Sequence, residues 1–158
     1  MEYALVFPVF FMILYAAVGY GLVFAIQLSL QHAAEEGARA ALRYQSTGAE
    51  RLTVARTVTT TFLATWLPAA AYGTPTVEIC SSATSSSCWD GTSEDDAPDC
   101  SDSDSTSDSD SDVVCTVQVE VSYDYASYAL VPAIPGLGLL MPDTIAARAS
   151  VLLEQVDL

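Results

Sequence analysis

Lysine and asparagine are absent from this 158-residue sequence, and histidine occurs once, as His32. Five arginines (Arg39, Arg43, Arg51, Arg56 and Arg148) stand against 20 acidic residues, for a net charge of -15. Phosphate recognition needs clustered positive charge, so this balance argues against nucleic acid. It argues equally against docking on an anionic bilayer through basic residues. One histidine and no lysine leave few general bases. There is no G-x-x-x-x-G-K-[ST] phosphate loop and no C-x-x-C-H haem site. The expectation is a protein that is not an enzyme and carries no cofactor or resident metal. Without asparagine there is no N-x-[ST] sequon, so any sugar would sit on serine or threonine. An acid-rich, lysine-free composition suits a salty environment, where screening tames self-repulsion.

What the sequence has in excess is apolar length. Hydrophobic residues make up 51 % of the chain, and the surplus is concentrated in the first 30 positions. Residues 3–30 contain no charge. About 20 apolar residues span a bilayer, so the run is long enough. A secretory signal peptide would need a basic start, a shorter apolar core and a small-residue cleavage site. Here Glu2 is acidic and the run passes without punctuation into residues 31–45, QHAAEEGARAALRYQ. That continuation is alanine-rich, with Ala34, Ala38 and Ala41 along one stripe and Glu35 and Arg39 spaced for an i,i+4 pair. The pattern predicts one helix to Gln45, about 65 Å long at 1.5 Å per residue.

Three features distinguish the run from a plain anchor. Glu2 places a carboxylate at its edge, which is costly unless paired. Pro8 removes one helical hydrogen bond and is expected to bend the helix. Gly19 and Gly21, with Ala16 and Ala17, form a small-residue patch of the kind that lets helix backbones approach. The aromatic side chains of the run (Tyr3, Phe7, Phe10, Phe11, Tyr15, Tyr20 and Phe24) are explained by packing. His32, with Gln31, Glu35 and Glu36 close by, reads as an interfacial helix residue rather than a ligand.

The rest of the chain reads as a small α+β head. Thr47 followed by Glu50 fits a capping box, so a second helix begins near Gly48. Leu52, Ala55, Thr59, Phe62 and Trp66 recur on one predicted apolar face, and Pro68 stops the helix. Three strands follow, at residues 76–80, 116–125 and 145–153, predicted as an antiparallel sheet packed on helix. The second alternates Val117, Val119, Val121 and Tyr123 against Gln118, Glu120, Ser122 and Asp124. The link between residues 125 and 143 is rich in proline, glycine and leucine. Its apolar side chains (Leu130, Val131, Leu137, Leu139, Leu140 and Met141) pack either on a neighbouring subunit or on the sheet of their own domain. The chain is thus expected to divide into residues 1–46, the N-terminal apolar helix, and residues 47–158, the head, with an acidic loop at 81–114.

That loop contains SDSDSTSDSDSD at residues 101–112, which cannot bury enough apolar area to order itself. Aspartates are hard ligands for calcium, but the glycine and bidentate glutamate of a regular loop site are missing. A solvated surface loop is the simpler reading. Cys80, Cys88, Cys100 and Cys115 are even in number and lack zinc-knuckle spacing, which favours two disulfides and an extracytoplasmic location. Of the three possible pairings, the expected one joins Cys80 to Cys115 across two strand ends and nests Cys88–Cys100 inside the loop.

Glu2-Tyr3-Ala4-Leu5-Val6 with Pro8, the apolar run, and Ala34-Glu35-Glu36-Gly37-Ala38-Arg39-Ala40-Ala41 together resemble the TadE-like pilins, a family related to type IV pilins. VEVSYDY and ARASVLLEQ also look like that family's closing strands, while the cysteine-rich middle lies outside the resemblance. The resemblance implies a precursor in the inner membrane, removal of a leader after a glycine by a prepilin peptidase, and assembly by pilus machinery into an extracellular filament. It implies that the helix packs in the filament core and that Glu2 pairs with an N-terminal amine, its own or a neighbour's. Met1, Glu2, Pro8, Gly19 and Gly21 are the candidate assembly residues. Two departures stand out. Glu2 is second where the family's glutamate is near the fifth mature position, and no leader glycine precedes it, so the sequence reads as processed or as starting unusually at Met1. The expected function is a structural pilin-like subunit that polymerises with copies of itself. The alternatives are a single-pass membrane-anchored binding protein that never polymerises and a minor or tip adhesin subunit.

Overall fold

A computed structural model describes residues 2–43, 47–81, 88–93, 100, 114–130 and 142–153. Six elements follow in order: α1 (Glu2–Ala41), α2 (Gly48–Trp66), β1 (Thr76–Ser81), β2 (Cys88–Trp89), β3 (Cys115–Asp124) and β4 (Thr144–Leu153). The sheet is antiparallel with order β2-β1-β3-β4. It has four strands rather than the expected three, because the two residues of β2 fold back on β1 opposite Ile79 and Cys80.

α1 is a single 40-residue helix with Pro8 inside it, about 60 Å long. Residues 3–30 keep it free of charge, and alanine dominates its second half. It stops at Ala41, short of Gln45. Leu42 and Arg43 N–H groups turn back onto the carbonyls of Arg39 and Ala40, tightening the last turn. Residues 44–46 lie outside the described residues.

α2 starts where the capping pattern places it. Thr47 is extended, and its Oγ1 accepts the Glu50 N–H at 3.3 Å. Its β-branched stretch is accommodated by hydroxyls bonding one turn back: Thr53 to Ala49 O, Thr57 to Thr53 O, Thr61 to Thr57 O and Thr65 to Thr61 O. Leu67 leaves the helix in an extended conformation just before Pro68, which disfavours α geometry at the residue ahead of it.

The strands alternate as their sequences require. Val77 and Ile79 of β1, Val117, Val119, Val121 and Tyr123 of β3, and Ile145, Ala147 and Ala149 of β4 form a buried inner face. α1 lies over β3 and β4, and α2 over β1. Leu30, Ala33, Ala34, Ala38 and Ala41 belong to the same core as the sheet. α1 is therefore two things along its length, a core helix of the head at one end and an uncovered apolar rod at the other.

The helices meet at one tight crossing. A Cβ added at Gly37 would sit 2.0 Å from Thr59 Oγ1 and 3.3 Å from Ala55 O. Only a hydrogen fits there. Thr59 is fully buried and holds its hydroxyl on Ala55 O at 2.8 Å, so it completes its own hydrogen bond inside the contact.

Candidate functional site

The first half of α1 presents an extended apolar surface. Tyr3, Val6, Phe7, Phe10, Ile13 and Phe24 are among the large apolar side chains of α1 that are more than 60 % exposed or close to it, between 62 % and 90 %. A segment this apolar is long enough to cross a membrane, and only 11 % of its most apolar window is buried in the chain. That low figure separates it from the core helix of a water-soluble domain, which would be covered. Phe7 and Phe11 stack along one side with ring centroids 6.3 Å apart.

The candidate assembly residues do not form one patch. Pro8 lies within α1, about two turns in. Gly19 is buried, whereas Gly21 is exposed and a Cβ there would meet nothing within 4 Å. Two residues apart on a helix means about 200° of rotation, so the two glycines point to opposite sides. Ala16 is half-buried beside Gly19, and Ala17 is exposed. The free small-residue position is therefore Gly21. The backbone of Glu2 opens α1, while its side chain and Met1 lie outside what is described. The close-approach glycine that sequence reading missed is Gly37. Its signal is the Ala-x-x-Gly-Ala-x-Ala-Ala composition of residues 34–41, which carries helix propensity and the family resemblance but does not by itself mark a helix crossing.

Charge sits on the outer faces. The expected Glu35–Arg39 pair gives way to Glu36–Arg39 at 3.5 Å, because Gln31 Nε2 donates to both Glu35 Oε1 and the Arg148 carbonyl at 3.4 Å. Glu35 is thereby turned toward the sheet. His32 is exposed on α1. On the outer face of the sheet, Arg148 bonds Glu120 at 2.6 Å, directly across β3 and β4. Thr76, Glu78 and Gln118 line the same shallow depression. Arg56 reaches from α2 to the carbonyls of Val77 and Asp90, tying β1 to the residues after β2.

The disulfides differ from the expected pairing. Cys80 joins Cys88 (Cα–Cα 4.1 Å) and Cys100 joins Cys115 (Cα–Cα 5.8 Å). Register explains the correction. Cys115 lies opposite Ser81, and Cys80 lies opposite Thr116. Alternation then puts Cys80 on the outer face and Cys115 on the buried inner face, so they cannot meet. The loops close in series rather than nested, one on each face of the sheet. The Ser/Asp-rich residues 101–112 lie inside the second loop and outside the described residues, as does the calcium alternative attached to them. Glu78 lies near the sulfurs of Cys80 and Cys88, but those sulfurs are bonded to each other and are not thiolate ligands.

Among the described residues, three groups in the head are shifted from their ordinary range. The Asp90 carboxyl is held low, first by the Thr92 hydroxyl and then by the Thr92 N–H, in a turn where Gly91 has φ 85° and lies against Leu52. Asp124 is held low by the side chain and N–H of Ser127. Tyr123 is pushed up, chiefly by burial, and its hydroxyl donates to the Tyr128 carbonyl at 2.7 Å. Asp90 lines an open depression with Arg56, Thr76 and Glu78, and Asp90 and Asp124 each order a turn through their bonds to Thr92 and Ser127. The Tyr125 hydroxyl is buried without a hydrogen-bond partner among the described residues.

No curated protein and no solved structure matches the chain. The family model for TadE-like proteins matches residues 1–39, which is α1 almost to its end and about a quarter of the chain, so the segment that carries the uncovered apolar rod is TadE-like and fits a membrane-anchored, pilus-related protein.

Proposed function

We propose that the chain is a structural, non-catalytic pilin-like subunit. It resides in the inner membrane through α1 and then polymerises with copies of itself into an extracellular filament. One observation carries this reading. A single helix is core-packed in the head along its second half and bare, apolar and uncharged along its first, in the segment that matches the TadE-like family. A bare apolar rod of this length needs a covering, and lipid and packed copies of the same rod are both suitable ones. Because α1 is continuous into the head core, whatever holds the rod also positions the head. Gly21 and the exposed aromatic side chains offer a surface on which another helix can seat.

Glu2 takes the role the family resemblance gives it, pairing with an N-terminal amine to set axial register. A buried carboxylate that loses its partner costs about 3–5 kcal/mol, enough to stop assembly without touching the head. The test is Glu2→Ala in cells that make the filament. The expected outcome is loss of filaments by electron microscopy, with a head that melts as the parent does. Filaments of ordinary number and length from that variant would contradict the assignment. Purification of the chain only as detergent-solubilised monomers from a filament-bearing strain would favour a membrane-anchored binding protein.

A further inference from the structure

The sheet ends in two edges, and the longer one is β4. Which of its backbone groups are open follows from the bonds β3 makes on its other side. Gly73 N–H donates to Ser122 O and Asp124 N–H to Ala71 O, so the even-numbered residues of β3 turn away from β4. The ladder between β3 and β4 then runs through Val117, Val119, Val121 and Tyr123 and their partners Val151, Ala149, Ala147 and Ile145. Thr144, Ala146, Arg148, Ser150 and Leu152 are left with N–H and C=O pointing out of the sheet edge.

Such a row is a template for another strand. β4 carries few of the usual deterrents. Its 10 residues pair with β3 in unbroken register, without proline, lysine or bulge. Its one charge, Arg148, is engaged by Glu120 on the outer face. Turned about a twofold at Ala147, the strand also matches itself. Thr144 falls opposite Ser150 and Ala146 opposite Arg148, so like charges do not meet. A second copy is therefore the partner this edge fits.

Among the described residues one group stands in the way. Gln31, half-buried on α1, donates from Nε2 to the Arg148 carbonyl at 3.4 Å. Glu35 Oε1, one turn further along α1, accepts from the same nitrogen and holds the amide in place. Arg148 is the middle one of the open residues. With its carbonyl taken, two remain on either side, no more than the two residues of β2. β2 stays on β1 with the help of Cys80–Cys88 and of Arg56, which bonds Asp90 O just beyond it. A second copy would bring no such staple. The other edge is treated alike: where β2 stops short, the carbonyl of Val77 accepts from Arg56 of α2 at 3.5 Å. Each helix thus sends one side chain to a carbonyl of one sheet edge.

We propose that Gln31 is an edge guard: by occupying the middle of the β4 edge it prevents antiparallel pairing with the β4 edge of a second copy, which keeps the heads separate. The guard acts within the head, whether or not α1 polymerises.

The full chain, labelled with nitrogen-15 and held in detergent micelles, is read by amide hydrogen exchange, residue by residue, over a range of protein concentrations. In the parent, the amides of Ala146, Arg148, Ser150 and Leu152 should exchange fast at every concentration, while those of Ala147 and Ala149 are protected by the ladder. Gln31→Leu should make the first set slow as concentration rises. A dimer displaces two Gln31 bonds, and a neutral bond is worth about fivefold, so pairing should strengthen about 25-fold. Gln31→Lys, which keeps a donor at the edge, should behave as the parent does. Association through α1 should move none of these amides. Unchanged fast exchange in Gln31→Leu, with Ala147 and Ala149 still protected, overturns the guard. Protection of the outer set already in the parent overturns it too. Where leucine disturbs the ladder itself, Gln31→Ala is read for the same two results.

Discussion

Gly37 shows how much one hydrogen atom decides. In an exposed helix, Gly→Ala gains about 1 kcal/mol. At Gly37 the added methyl group would enter Thr59 Oγ1, whose hydroxyl is itself held on Ala55 O. Overpacking of this kind costs about 1–3 kcal/mol, so Gly37→Ala should lower the stability of the head in detergent melts. Gly21→Ala, with open space around it, should leave the head unchanged. Thr59→Ala removes the clashing oxygen, so Gly37→Ala with Thr59→Ala should recover part of the loss, a coupling that a double-mutant cycle measures. Tyr123 supplies a second prediction. Its folded pKa lies above the unfolded one, so the stability it contributes is complete below about pH 10 and is lost as pH rises through the folded value. Tyr123→Phe should remove that alkaline loss and cost about 1 kcal/mol at neutral pH, the worth of its bond to Tyr128 O. Asp90 and Asp124 have the opposite sign. Their folded values are depressed, so their contribution is complete above about pH 3.9 and fades as pH falls further.

At the scale of elements, the strong periodic signals were legible and the contacts between elements were not. α1, the capped start of α2, and the alternation of β3 and β4 were all readable, because each rests on spacing within one segment. β2 was not, since two residues carry no period and exist as strand only through Ile79 and Cys80 across the sheet. Trp66 fitted the apolar face by spacing, but it closes the last turn of α2 and is left exposed there. The disulfides failed for the same reason. Strand ends suggested Cys80 with Cys115, while register between strands places those two on opposite faces. The pairing found makes the loops energetically separate. Removing Cys100–Cys115 releases a loop of 15 residues and should cost about 3 kcal/mol by denaturant melting under oxidising conditions. Removing Cys80–Cys88 frees a shorter loop and should cost less, with β2 alone detached. Peptide mapping that joined Cys80 to Cys115 would contradict both the register and these costs.

For the whole molecule, the division of labour follows from where apolar surface is satisfied internally. The head closes its own core from α1, α2 and one sheet face, and turns carboxylates outward. Most of the rod's large apolar side chains are left exposed within one chain. Sequence reading found the rod and its family resemblance from residues 1–41, and the structure adds that the second half of the same helix is built into the head. A filament in which rods bundle would therefore carry each head at a fixed angle, without a flexible joint between them among the described residues. The net charge of -15 keeps heads mutually repelled at low salt, so assembly through the rods should strengthen as salt is raised. The central claim, that α1 exchanges lipid for copies of itself, is tested most directly by cryo-electron microscopy of the purified surface fraction. The account predicts a helical polymer of this one chain, with uncharged α1 segments packed at its centre and acidic heads outside. Filaments built without this chain, or a polymer whose subunits touch only through their heads, would contradict it.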